Sequence, residues 1–159
     1  LKPTITVTES GDLHFLQTAI DNLENAKVYV GIPEKTTSRK GEKITNAGLM
    51  YIHTNGSEVM HIPARPVIEP AIEAPDNKER IAATLGAAMT AELNGEHATA
   101  VENIRKAGTQ GANAAKRWFT DPRNNWAPNA PSTIAAKGSA RPLIDKGELR
   151  RAITHVEEL

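Results

Sequence analysis

The sequence contains no cysteine, few aromatic residues and no surplus of either charge. The missing thiols exclude a disulfide scaffold, a CxxC redox site and thiolate-bound zinc or iron–sulfur clusters. Lysine plus arginine and aspartate plus glutamate each number 19, so the formal net charge at pH 7 is zero. A protein that coats nucleic acid with its whole surface is not built that way. No stretch approaches the roughly 18 consecutive apolar residues of a membrane helix, which argues against a membrane partner. Leu1 to Ser10 has no basic region leading into an apolar run, so no signal peptide is visible. Leu1 suggests a removed initiator methionine, and the expectation is a chain made and kept inside the cell. The 39% of hydrophobic residues is enough for a core, and 159 residues fit a single domain spanning 1–159.

What is present is unevenly distributed. Aromatics make up 4% of the chain, yet Trp118, Phe119 and Trp126 fall close together. Eight of the ten prolines lie within Pro63–Pro75 and Pro122–Pro142, and these stretches punctuate the chain. Before them, Thr4–Thr8 alternates as a short strand, and Ser10-Gly11-Asp12 reads as a turn and helix cap. Leu13, Leu16, Ile20 and Leu23 recur at helical spacing, predicting an amphipathic helix. Lys27–Ile32 reads as a strand stopped by Pro33, in either a parallel or an antiparallel pair. Glu34–Lys43 has no apolar residue and reads as a mobile, net-positive loop. Asn46–Thr54 reads as a helix capped by Thr45 or Asn46 and ended by Asn55-Gly56. Met60-His61-Ile62 suggests a strand edge, and Val67–Glu73 a helix with Pro70 in its first turn or at a kink.

Two longer helices follow, forming a hairpin over 76–120. Asp76 with Glu79 suggests a capping-box arrangement at the first, whose apolar stripe is Ile81, Leu85, Ala88, Met89 and Leu93. The second runs from about Glu96 to Phe119, with a break or kink allowed at Gly108 and Gly111. Asn94-Gly95 between them forces an antiparallel arrangement. The stretch 121–148 reads as an ordered proline-rich loop region containing one helical turn at Ser132–Lys137. Leu149–Val156 alternates and reads as a terminal strand. The expected class is therefore α+β, with a small, mainly antiparallel sheet packed against a helical hairpin and long ordered proline-rich loops.

The catalytic inventory is thin. Nucleotide-binding glycine loops, the Gly-x-Ser-x-Gly elbow and HExxH are all missing from the sequence. His14, His53, His61, His97 and His155 are scattered without paired carboxylates, so no metal site, cofactor or catalytic residue is assigned. Asp76 and Glu79 faintly match a metal-nuclease signature, but acids opening a helix are explained by its dipole. Arg105, Lys106, Lys116, Arg117 and Arg123 give the second long helix and its exit a local basic excess. Arg39, Lys40 and Lys43 form another basic spot. Without interleaved aromatics these are weak signals for a nucleic-acid-binding module, and ordinary solvated faces are the favoured explanation for a monomer.

The two proline-bearing stretches carry more. Proline pre-sets an extended path and lowers the cost of ordering a loop. Trp126 is a large amphipathic anchor of the kind enriched at interfaces. Arg65 and Arg141 each precede proline, which biases them to extended backbone and points the guanidinium outward or toward a carboxylate.

In order, the chain carries Val30-Gly31-Ile32-Pro33, the Asn46–Ser57 segment, Ile62-Pro63-Ala64-Arg65-Pro66 through Ile72, a helical hairpin, and the Trp126–Ile153 stretch. That order resembles tailed-bacteriophage virion proteins of the tail-completion and head–tail joining (neck) type, close to the virion morphogenesis and minor tail proteins. Lys146 stands where that family commonly has threonine, and Gly48 is a second departure. The resemblance implies a non-enzymatic structural subunit without cofactors. Such subunits form a homo-oligomeric ring, commonly of six copies, in the neck or at the top of the tail, assembled in the host cytoplasm. Neighbouring connector, tail-terminator or tail-tube proteins would be its partners, and genomic DNA would pass through without sequence-specific contact. A tail terminator or a head-side adaptor is an alternative seat for the same subunit. On this reading, interface candidates are Arg65, Trp126, Pro128, Arg141, Leu143, Asp145 and Leu149. Candidates facing the lumen or DNA are Arg39, Lys40 and Lys43.

Overall fold

A computed structural model describes residues 13–33 and 44–159. The expected strand at Thr4–Thr8, the turn at Ser10–Asp12 and the loop at Glu34–Lys43, with Arg39, Lys40 and Lys43, lie outside the described residues.

Helix α1 (Leu13–Asn25) leads into strand β1 (Lys27–Gly31). Helix α2 (Asn46–Asn55) begins where the Thr45 hydroxyl accepts a hydrogen bond from the Gly48 N–H at 3.1 Å. It ends at Gly56, with φ of 73°. Helices α3 (Ile68–Glu73), α4 (Pro75–Leu93) and α5 (His97–Trp118) follow, then a 3-10 turn at Pro122–Asn124. Helices α6 (Pro131–Lys137) and α7 (Glu148–Ala152) precede strand β2 (Thr154–Glu158). Strands β1 and β2 pair antiparallel, with Tyr29 opposite Val156, and make the two-stranded sheet seen among the described residues. The α+β class and the sheet-on-hairpin layering are as expected from the pattern.

The alanine-rich faces of α4 and α5 determine the hairpin. Ala88 and Ala91 on α4, with Ala100, Ala107 and Ala114 on α5, are buried beside the single large aliphatic Ile104, so the helices approach largely through small side chains. Helix α5 passes unbroken through Gly108 and Gly111, which do not kink it. They let the sheet lie close. A Cβ at Gly108 would fall 2.5 Å from the His155 ring, and one at Gly111 2.9 Å from Val30 Cγ2. At the other end of α5, Val67, Ala71, Trp118, Phe119, Leu149 and Ile153 form the main core.

Four expectations need correction. Asp76 does not cap α4. Pro75 occupies the first helical position, Ala74 is the cap, and no side chain caps the helix, so no box forms with Glu79. The Asp76 carboxylate instead accepts from Arg123 at 2.8 Å. Leu149–Val156 is not one strand. Leu149 and Ile153 are buried while Arg151 between them is exposed, which a helical turn produces and an alternating strand does not, and the strand starts at Thr154. Met60-His61-Ile62 is no strand edge either. Ser57 and Ile62 exchange backbone hydrogen bonds at 2.8 Å each way, closing a tight turn in which His61 adopts φ of 51°. Finally, the apolar stripe predicted on α4 is only partly inside, with Leu85, Met89 and Leu93 exposed.

Candidate functional site

The two proline-bearing stretches, far apart in sequence, meet and line one cleft of about 710 Å³. One wall comes from α2 (Leu49, His53) and the turn after it (His61, Ile62, Pro63), continuing to Arg65. The other comes from Pro128 and Asn129, helix α6 (Thr133, Lys137), the following loop (Leu143, Asp145) and the start of α7. Gly56 makes this return of the chain feasible. Its φ of 73° and the approach of Ala64 N and Ile62 O to 2.8 Å from a would-be Cβ admit only glycine.

Reciprocal hydrogen bonds brace the two stretches. Arg65 Nε and Nη2 donate to the Ala127 carbonyl at 3.1 and 2.8 Å, and Nη2 also donates to Pro128 O at 3.0 Å. In return, Trp126 Nε1 donates to Pro66 O at 3.1 Å. The Trp126 ring meets Phe119 edge-on, with centroids 5.8 Å apart, which anchors the brace to the core. Asn129, also buried, donates from Nδ2 to Ala140 O at 3.2 Å. Two of the three non-glycine residues in the left-handed backbone region, His61 and Leu143, line the cleft. Such conformations persist only where the surroundings fix them.

Positive charge gathers at the cleft. Arg65 is only 6% exposed and has no carboxylate partner among the described residues. Burial lowers its pKa. Burial, then the charges of Arg65 and Lys137, holds the His53 imidazole below its ordinary value, favouring the neutral form. His53 Nδ1 is buried with no hydrogen-bond partner among the described residues. Burial also lowers the Lys137 ammonium against the opposing pull of Asp145, and its Nζ donates to Arg141 O at 2.7 Å.

The structure thus puts five of the seven interface candidates on the cleft and the other two, Trp126 and Arg141, beside it, and gives them different tasks. Arg65 points neither outward nor to a carboxylate but into the brace, and Leu149 is buried in the core. Trp126 is half-buried, as is Leu143, and both pack against the core cluster. Pro128 and Asp145 are exposed on the cleft, while Arg141, exposed, presents its carbonyl to Lys137. His53 and Lys137 were not singled out for a site. Their signal is three-dimensional, since each is an unremarkable polar residue on its own helix.

The basic residues of α5 do not act together. Arg105 pairs with Glu157 of β2 at 2.8 Å. Arg117 stands in a separate polar groove with Arg80 and Arg123, and Arg123 is neutralised there by Asp76 and Asp121 at 2.8 and 2.7 Å. Lys106 is exposed and Lys116 half-exposed on the same helix. Among the described residues no three His, Asp or Glu side chains cluster as a metal site requires, and no helix is long and apolar enough to cross a membrane. Comparison with protein-family models, curated proteins and solved structures returns no match.

Proposed function

We propose that the chain is a structural virion protein of a tailed phage, one subunit of a ring at the head–tail interface through which DNA passes. It acts by shape and interface burial, with copies of itself and the adjoining connector, terminator or tube proteins as partners. The observation that carries the assembly part of this reading is an outward-facing apolar surface. Helix α1 rests on α4, tied by Asn22 Nδ2 donating to Glu92 at 2.7 Å. Leu13 (79% exposed), Leu16 and Ile20 of α1 and Leu85, Met89 (53% exposed) and Leu93 of α4 all remain exposed. Large apolar side chains left outside on two packed helices mark a protein–protein contact rather than a solvated face. The motif order from Val30 to Ile153 supplies the phage part, and the zero net charge suits a subunit packed against its own copies.

Native mass spectrometry and negative-stain imaging test the proposal. The expected result is a closed oligomer, six copies on the ring reading, formed alone or with neighbouring virion proteins. The paired variant Leu16→Glu/Met89→Glu should remain folded and monomeric. A wild-type chain that stays monomeric with those proteins present, or that is missing from purified virions, overturns it.

A further inference from the structure

The cleft between the two proline stretches carries a charge pattern that the apolar α1–α4 surface does not account for. Three fixed cations line it, Arg65, Lys137 and Lys146, against two carboxylates, Asp145 and Glu148, and both carboxylates are exposed while Arg65 is buried. A buried guanidinium without a counter-ion is costly, and carbonyl oxygens compensate it only in part. Arg65 Nη1 makes no hydrogen bond to the described residues, since Nε and Nη2 take the Ala127 and Pro128 carbonyls. Around these groups the wall is apolar, with Leu49, Ile62 and Leu143.

We propose that this cleft docks a peptide segment bearing an acidic side chain flanked by apolar ones. Arg65 and Lys137 receive the carboxylate, and Leu49, Ile62 and Leu143 receive the apolar neighbours. Charge complementarity selects the acid. The apolar wall selects a peptide over a nucleic-acid backbone, which is bound by many exposed cations and offers no apolar side chain to bury. The volume falls in the range of sites that take a few side chains at once. Rigidity favours binding as well, because the prolines, the Arg65–Trp126 brace and the fixed backbone at His61 and Leu143 leave little to order. The inference does not depend on the ring reading, because the cleft belongs to a single chain.

The test uses the full chain and a blocked synthetic peptide, Ala-Leu-Glu-Leu-Ala, beside its glutamine counterpart and inorganic phosphate. Calorimetry and amide chemical-shift mapping are the readouts. The glutamate peptide should bind and shift cleft residues, and the glutamine peptide should bind about tenfold more weakly or worse. Lys137→Gln should weaken the glutamate peptide roughly fivefold to tenfold while lowering the melting temperature only slightly, since the Nζ bond to Arg141 O that it removes is exposed. That variant keeps the test clear of Arg65, whose removal breaks the brace. Equal binding of the two peptides, no shift in cleft residues at concentrations on the order of millimolar, or phosphate displacing the peptide while matching its affinity would each overturn the proposal.

Discussion

On helix α4 of the hairpin the buried apolar side chains are small and the large ones face outward; around the cleft the arrangement is reversed. Ala88, Ala91 and Ala107 fill the contact between α4 and α5, while Leu85, Met89 and Leu93 face outward. At the cleft end, Trp118, Phe119, Val67 and Ile153 are inside, and polar groups such as Arg65 and Asn129 are buried with hydrogen bonds to backbone carbonyls. The hairpin is held by close backbone approach and keeps its apolar surface available for assembly. The cleft end spends its large side chains on its own core and presents a fixed, polar-floored cavity.

Four changes test that contrast. The largest effect belongs to Gly56→Ala, where a Cβ meets backbone atoms and φ is unfavourable, so a loss of about 2–4 kcal/mol is expected in urea denaturation. A loss under about 0.5 kcal/mol would show that the turn is not rigid. Trp126→Ala comes next, at about 2–3 kcal/mol, because it removes half-buried ring contacts with Phe119 and orphans the Pro66 carbonyl. If the variant melts like the wild type, the brace is not a source of stability.

The third change is of pH. Burial, Arg65 and Lys137 hold the His53 imidazole below 6.5, so the folded state binds fewer protons than the unfolded chain as pH falls past that value. The stability His53 contributes is complete above pH 6.5 and is lost as pH descends toward the lowered folded-state value. Comparing denaturation midpoints at pH 7.5 and 5.5 should show a drop, and His53→Gln should flatten it. An equal drop in both proteins would assign the effect elsewhere. The smallest change in stability is expected from Leu16→Glu/Met89→Glu, within about 0.5 kcal/mol, because those side chains are exposed. A large destabilisation would place them in a core and remove the contrast.

The periodic parts of this fold were legible in the sequence. Helices α1, α2, α4 and α5 follow from apolar spacing, and the α2 boundaries from Thr45 and Gly56, because local chemistry decides them. The role of Arg123 was not legible, since its partner Asp76 lies 47 residues away and nothing local announces the pairing. Leu149–Val156 misled because a helical turn followed by a strand reproduces alternation over eight residues. The exposure of Arg151 between the buried Leu149 and Ile153 separates the two. The proline stretches were recognisable as special, but that Arg65 holds the Ala127 and Pro128 carbonyls while Trp126 holds that of Pro66 depends on contacts between residues 60 to 63 positions apart. The cleft was therefore visible in its parts and invisible as a cavity.

The reciprocal brace also ties together events in time. The bonds made by Arg65 and Trp126 span 60 to 63 positions of sequence, and the whole helical hairpin lies within the loop they close. Opening the cleft wall while α4 and α5 stay docked would cost both sets of bonds without releasing the chain between them. The exchange of the Trp126 indole hydrogen with solvent should thus be among the slowest in the molecule and should follow global unfolding rather than loop breathing.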